Sequence, residues 1–430
     1  MKILFIAFSQ SIHTARWISQ ISDQKWDIHL FPSIDNGESH KSLKNINIYH
    51  SFYGRQDGLK TTVKLHGIPI LSKKAAMAVR LFLREVFPRY RVWQLSRLIR
   101  KVKPDIIHSM EIQAGGYLAL EVKKLLDKKF PNWIVTNWGS DIYLFGRLNK
   151  HKTKIKEVLS SCNYYSCECQ RDVRLAKEFG FTGTILPVFP NSGGFDIEEL
   201  NRLRTNIAPS KRKLILLKGY QNWAGRSLVG LRALERCADL LCNYYEIAIC
   251  SIIEHPLIPE SDVKIAAELF TQSTGIPVRI IPNNTPHQEI LTLLGQARFS
   301  LGLSISDAIS TFALEAMAMG SFPIQSCTSC ASEWIKDGET GLLVPPNDPD
   351  IIEKAIRKTL TDDQLVDTAA IKNFSIICEK LDQKLIKQKI ISYYQTVYKN
   401  SVSKKNCIKY QSKGENKRSK WKKYIIRTKR

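Results

Sequence analysis

Short apolar runs alternate with helix-length amphipathic stretches along almost the whole chain, and that alternation constrains the fold more than any other feature. Ile3–Phe8 is apolar throughout rather than at every second position. A strand of that kind is buried on both faces, which a parallel sheet clad by helices provides. Further runs at Ile28–Phe31, Ile46–Ser51, Asp105–Met110, Trp133–Trp138, Tyr164–Cys167 and Thr184–Val188 predict a first set of strands. Pro187-Val-Phe-Pro-Asn-Ser-Gly-Gly then breaks the pattern with turn residues, and a polar stretch reaches Arg212. The alternation restarts with strands at Leu214–Leu217, Tyr245–Ser251, Val278–Pro282, Phe299–Ser304 and Phe322–Gln325, and helices from about Ser227, Ser261, Pro286, Thr311 and Pro349. This divides the chain into a domain over 1–195, a linker over 196–212, a second domain over 213–380, a helix over 381–400 packing back on the body, and a tail over 401–430. The fold class is α/β: two doubly wound, Rossmann-like domains whose facing strand ends leave a ligand cleft.

Charge narrows the partners. Lys and Arg number 64 against 40 Asp and Glu, a formal net charge of +24, which favours an anionic partner. Most of that excess sits in two segments: Ser72–Lys103 has ten bases against Glu85, and Ser401–Arg430 has twelve against Glu415. The remainder is nearly neutral, so the basic segments look like appendages on an ordinary enzyme rather than a nucleic-acid groove, and no nucleic-acid partner is expected. In Ser72–Lys103 the bases interleave with Met77, Leu81, Phe82, Phe87, Trp93 and other apolar residues, and Pro88 must kink or split any helix there. Two readings stay open: an interfacial helix on an anionic membrane, or a core helix with a solvated basic face. Trp421, Tyr424, Ile425 and Ile426 give the tail the look of a second surface anchor, with a disordered tail as the alternative.

No stretch approaches the roughly eighteen apolar residues that span a bilayer, and the opening residues lack the features of a signal peptide. The ten cysteines follow no repeating framework, so reduced thiols in a cytoplasmic compartment are expected. Cys327-Thr-Ser-Cys330 is a single CxxC without a second pair or a spaced His, and reads as small buried residues in a loop rather than a zinc or redox motif.

The segment richest in chemistry runs from Ser304 to Ile324. A strand leads towards Asp307, and a helix begins near Ser310 or Thr311 with Glu315 about one turn further in. Such a helix start aims unpaired N–H groups and a positive dipole end at a pyrophosphate, and the carboxylate can accept hydrogen bonds from vicinal hydroxyls. Singly, these residues are equally an N-cap and a dipole-favourable acid. The combination of Asp-x7-Glu, then Ala-Met-Ala-Met-Gly-Ser-Phe-Pro-Ile, then Glu333-Trp-Ile-Lys-Asp-Gly-Glu-Thr-Gly-Leu-Leu-Val resembles the family 4 retaining glycosyltransferases of the GT-B fold. The resemblance covers the second domain clearly, with weaker echoes at Lys103-Pro-Asp-Ile-Ile-His, Gly139-Ser-Asp and Leu186-Pro-Val-Phe-Pro-Asn.

The resemblance implies a ribose-binding role for Glu315, contact between Asp307 and the donor sugar, and backbone donors to the phosphates from Ile309, Ser310 and Thr311. Asp307 departs from the family's Glu by one methylene. The family's basic pair has its candidates in Lys218, followed by Gly219, and in Arg226 beside Gly225 at a helix start. On the acceptor side, Asn137-Trp138-Gly139-Ser140-Asp141 resembles the family's His-Gly-x-Asp turn with Trp138 in place of the His. Asp141 is a candidate for sugar contact, and a turn-stabilising Asp is the alternative. His13 or Arg16, after the first strand, could reach a phosphate or sugar. His108 reads as buried structure, and Asp348-Pro-Asp350 as a helix cap rather than a metal motif.

These readings together predict a retaining glycosyltransferase that takes a UDP- or GDP-linked sugar and needs no metal or other cofactor. Its acceptor would be a lipid-linked or other saccharide in cell-surface polysaccharide or lipopolysaccharide synthesis, at the inner face of the cytoplasmic membrane. The alternatives are an epimerase or phosphorylase on the same fold, or a non-catalytic protein that binds nucleotide sugars or nucleic acid.

Overall fold

Fully apolar runs do become parallel strands. The computed structural model of the protein describes residues 1–70, 72–252 and 261–401. The first sheet contains β1 (Lys2–Ala7), β2 (Asp27–Pro32), β3 (Ile46–Tyr53), β4 (Val63–Pro69), β5 (Ile106–Ser109), β6 (Asn132–Thr136), β7 (Tyr164–Ser166) and β8 (Thr184–Ile185). The second contains β9 (Leu214–Lys218), β10 (Glu246–Cys250), β11 (Val278–Ile280), β12 (Ala297–Gly302), β13 (Phe322–Ser326) and β14 (Leu342–Val344). Their orders are β4-β3-β2-β1-β5-β6-β7-β8 and β11-β10-β9-β12-β13-β14, with neighbouring strands parallel throughout. Strand order reverses between β1 and β5 and between β9 and β12, so each sheet opens a crevice beyond the carboxyl ends of those strands. β12 is buried at every residue and β1 at all but Lys2, as helices on both faces require.

Two strands lie outside the sequence expectation. β4 is an edge strand with largely exposed residues, and β14 is a short strand within the Gly-Leu-Leu-Val turn. The stretch expected as a linker carries a helix, Ile197–Leu203, capped by Asp196 through the Glu199 N–H at 3.1 Å. Pro88 splits the basic segment into the helices Lys73–Val86 and Tyr90–Val102, and the core-helix reading holds for the second. The second helix buries Leu95, Leu98, Ile99 and Val102 in the core, whereas the first buries only Ala76 and leaves Met77, Leu81, Phe82 and Val86 exposed. Residues 402–430, nearly all of the basic tail, lie outside the described residues.

The chain crosses between the two sheets' domains twice, and the crossings touch. Phe195 N–H donates to Leu381 O at 2.7 Å, and Gln383 N–H donates to Phe195 O at 2.8 Å. Beyond this point a helix over 383–401 returns to the first domain and buries Ile386, Ile390, Tyr393, Tyr394 and Val397 beside Trp17 and Ile21. The Tyr394 hydroxyl accepts from Trp17 Nε1 at 2.7 Å and bonds His108 Nδ1 at 2.7 Å, while His108 Nε2 meets Thr136 Oγ1 at 2.6 Å. Burial pushes the His108 pKa down to about 3, so the ring is neutral and structural, as its sequence position suggested. Replacing Tyr394 with Phe strands the buried Trp17 donor and one His108 nitrogen. The variant should lose about 1–3 kcal/mol of stability, read as a lower urea midpoint at unchanged slope.

Candidate functional site

The carboxyl ends of both sheets meet at a cleft of about 680 Å³, within the range of small-molecule sites. From the second domain, Lys218 at the end of β9, Asp307 in the loop after β12, and Ile309, Thr311, Phe312 and Glu315 line it. From the first domain come His13, Arg16, Trp138, Ser140, Glu168 and Asn191.

The helix Thr311–Met319 opens onto this space. Its N-cap, Ser310, makes no side-chain capping bond, so the first-turn N–H groups have no side-chain acceptor. The Ser310 hydroxyl accepts from Lys218 Nζ at 3.3 Å instead, and that ammonium lies 4.3 Å from the Tyr220 ring centroid. A cation and an open helix N-terminus thus converge on one spot, an arrangement suited to a diphosphate. Glu315 is buried at 6% exposure and accepts from His287 Nε2 at 2.7 Å. Asp307 accepts from the Ala308 N–H at 2.9 Å, and its own carbonyl accepts from Arg171 at 2.8 Å.

Three sequence candidates stand elsewhere. Arg226 does not line the cleft: its guanidinium donates to Asn347 Oδ1 at 2.8 Å and to the carbonyls of Asn222 and Gly225 at 3.1 and 2.8 Å. Gly219 spends its N–H on the Cys250 carbonyl at 2.7 Å, and a Cβ there would come within 2.7 Å of Ile252, so its small size serves packing. Asp141 turns inward, accepting from the N–H groups of Ile112 at 3.0 Å and Trp138 at 3.4 Å, which is the turn-stabilising alternative. Asp348 caps the helix Pro349–Thr361 through the N–H groups of Asp350 and Ile351.

The first domain's wall includes residues that the sequence did not single out. Glu168 accepts from the Asn191 N–H at 2.5 Å, and burial pushes its carboxyl well above the usual range. Asn191 Oδ1 and Trp138 Nε1 are buried without hydrogen-bond partners among the described residues. His13 packs against Trp138 with centroids 5.7 Å apart, and burial with help from Arg16 lowers its pKa. The wall thus carries a carboxyl group, an amide oxygen and an indole N–H at or just beneath the cleft surface.

The domains also touch at the edge of the cleft. Ser140 and Ser306 hydroxyls lie 2.9 Å apart, and Gly139, at φ 87°, packs so closely that a Cβ would sit 2.2 Å from the Ala308 nitrogen. Cys169 and Cys330 form a disulfide across this contact, which corrects the expectation that all thiols are free. Glu333 accepts from the Gln170 N–H at 2.8 Å. Among the described residues, Cys169, Cys330 and Glu333 are the one set of metal-type ligand atoms close enough to share an ion, and each already has the partner just described.

Comparisons with known proteins agree with this architecture. The structure resembles sucrose-phosphate synthase from Thermosynechococcus elongatus, with a TM-score of 0.67 and 14% identity over 93% of this chain and 100% of that one. It also resembles HepE from Anabaena, solved with UDP-glucose, with a TM-score of 0.63 and 14% identity over 92% and 100% of the two chains. A third likeness is to the UDP-forming α,α-trehalose-phosphate synthase from Burkholderia xenovorans, solved with glucose-6-phosphate, with a TM-score of 0.66 and 11% identity over 92% and 100%. At these identities the likeness is one of fold. No curated protein sequence matches the chain. Two facing parallel sheets, each with its strand order reversing at the centre, give this protein the GT-B fold. The family profiles are more specific: "Glycosyl transferase 4-like" matches residues 2–168 and "Glycosyl transferases group 1" matches residues 268–374. The chain belongs to these group 1, family 4-like glycosyltransferases.

Asp141 carries a measurable consequence. Burial, foremost, raises its pKa to about 6, above the ordinary value near 4 of an unfolded chain. The folded state therefore holds the proton more tightly. Its contribution to stability is complete below about pH 4 and lost as pH rises to about 6. Asp141→Asn removes this titration, so between pH 4 and 7 the wild-type melting temperature should fall relative to that of the variant.

Proposed function

We propose that this glycosyltransferase is a retaining enzyme that moves a sugar from a UDP- or GDP-linked donor to a lipid-linked or other saccharide acceptor, in cell-surface polysaccharide or lipopolysaccharide synthesis at the cytoplasmic membrane face. The observation that carries the donor half is the convergence of Lys218 and the open start of the Thr311–Met319 helix beside the buried carboxylate of Glu315. Solved structures of like fold bind such ligands: HepE was crystallised with UDP-glucose, and the trehalose-phosphate synthase is UDP-forming.

In this reading the diphosphate lies against Lys218 and the N–H groups of the helix start, and Glu315 accepts from the ribose hydroxyls. As the bond from anomeric carbon to phosphate oxygen breaks, positive charge grows on the sugar and negative charge on the diphosphate. The fixed cation and N–H groups are already aimed at the negative charge, so they favour the transition state over the ground state. Asp307 accepts from the donor sugar's hydroxyls. The acceptor hydroxyl, held by Glu168, Asn191 and Trp138, attacks on the face that the diphosphate is leaving, and its proton passes to the departing phosphate oxygen. The anomeric configuration is retained without a covalent sugar–enzyme bond, and no metal is called for, since Lys218 and the helix supply the positive field. The donor reading is tested by thermal stabilisation with UDP, GDP, ADP and CDP. One nucleotide should raise the midpoint by several degrees, with or without a chelator, and Glu315→Ala should reduce the shift by more than half. No shift with any of them would remove the donor assignment.

The membrane half rests on the helix Lys73–Val86 and the turn after it. Phe82 and Phe87 there, and Trp93 at the start of the next helix, are 63%, 59% and 59% exposed, on a stretch of sequence that also holds Lys73, Lys74, Arg84 and Arg89. Val86, Phe87, Pro88, Arg89, Tyr90 and Trp93 also line a shallow, open apolar hollow of about 570 Å³. Exposed aliphatic and aromatic groups on a stretch rich in bases match the boundary between anionic headgroups and acyl chains. Among the described residues no helix is long and apolar enough to cross a membrane. The protein should float with vesicles of phosphatidylglycerol and phosphatidylcholine but not with phosphatidylcholine alone. The double substitution Phe82→Glu and Trp93→Glu should reduce the bound fraction about tenfold or more. Equal flotation with both vesicle types would sink this half of the reading.

A further inference from the structure

The Glu315 carboxylate is a demanding group to hold ready. It is 6% exposed on a helix whose neighbouring residues Phe312–Met319 are buried, and a carboxylate there needs hydrogen bonds to stay charged and fixed in one rotamer. Among the described residues its one side-chain partner is His287, whose Nε2 lies 2.7 Å from Glu315 Oε1. An ionised carboxylate only accepts, so the imidazole donates. His287 begins the helix His287–Gln296 and belongs to a cleft-lining loop with Asn283 and Thr285. Its side chain is 44% exposed, so the ring is part of the binding surface rather than of the core. One donor on Oε1 leaves most of the carboxylate's acceptor capacity, including all of Oε2, without a side-chain donor among the described residues, and Glu315 lines the cleft.

We propose that His287 is a positioning residue that holds Glu315 for the ribose, and that this pair sets a preference for a ribonucleoside diphosphate over its 2′-deoxy counterpart. The proposal rests on the donor assignment above. A carboxylate pinned by its neighbour loses no rotamer freedom when ribose binds, and a buried, oriented acceptor discriminates strongly against a ligand lacking the matching hydroxyl. Without His287 the carboxylate can swing, and both the affinity and the discrimination fall. The sequence gives no hint of this pairing, because 28 residues separate the two side chains.

The test uses whichever of UDP, GDP, ADP and CDP binds the wild-type protein most tightly, together with its 2′-deoxy form, and measures both dissociation constants by calorimetry. His287→Ala should weaken the ribonucleotide about tenfold and shrink the ribo-to-deoxy ratio by a similar factor, as expected for loss of one charge-assisted hydrogen bond. His287→Gln, which can still donate an N–H, should keep both within about threefold of wild type. On a Glu315→Ala background, His287→Ala should have no further effect, because the two residues act as one unit. A His287→Ala loss that persists undiminished without Glu315, or an unchanged ribo-to-deoxy ratio, would overturn the proposal and leave the donor site standing. Failure of every nucleotide to bind the wild-type protein would remove the donor assignment and this proposal with it.

Discussion

A parallel sheet must bury both faces, and every other property of this molecule descends from that requirement. Each strand returns through a crossover that places a helix over the sheet, so strand carboxyl ends and helix N-termini gather at one edge. Polar groups and positive dipole ends collect there while the rest of each sheet stays apolar. Turning two such edges towards each other encloses a site with phosphate-binding machinery on one wall and hydroxyl-binding side chains on the other. Lys218, Thr311 and Glu315 occupy the first wall, and His13, Glu168 and Asn191 the second.

Much of the fold was legible because burial on both faces leaves a continuous apolar run. The strands that escaped are informative. β4 lies at an edge with most of its residues exposed, so Val63–Pro69 shows no apolar run, and β14 is too short to stand apart from its turn. Ile197–Leu203 was hidden by the polar residues that surround it. The site was legible where spacing along one element sets the geometry, as between Asp307, Thr311 and Glu315. It was not where a side chain's direction decides: Arg226, Gly219 and Asp141 have the right positions and face other partners. Partners distant in sequence were invisible altogether. Cys169 meets Cys330 across 161 residues, and Glu168 reaches Asn191 from another element.

Charge is divided in the same way as structure. The cleft sets Lys218 and Arg16 against Asp307 and Glu315, with burial favouring the neutral forms of His13 and Glu168, whereas the bases of the Lys73–Val86 helix lie away from it. The sequence excess of positive charge therefore describes a surface rather than a reaction centre. Chemistry in the cleft depends on a few groups fixed at short range, and surface attraction on many acting through solvent.

The paired crossings at Phe195 and Asp382 determine what kind of movement the two halves can make. One connecting strand would be a swivel, free to twist about its own axis. Two strands bonded side by side, Phe195 to Leu381 and Gln383 to Phe195, resist twist and leave bending across the pair as the soft direction. The Cys169–Cys330 disulfide ties the same two domains at the edge of the cleft, so the halves are joined at a third point and that bending is held in check while the bond is closed.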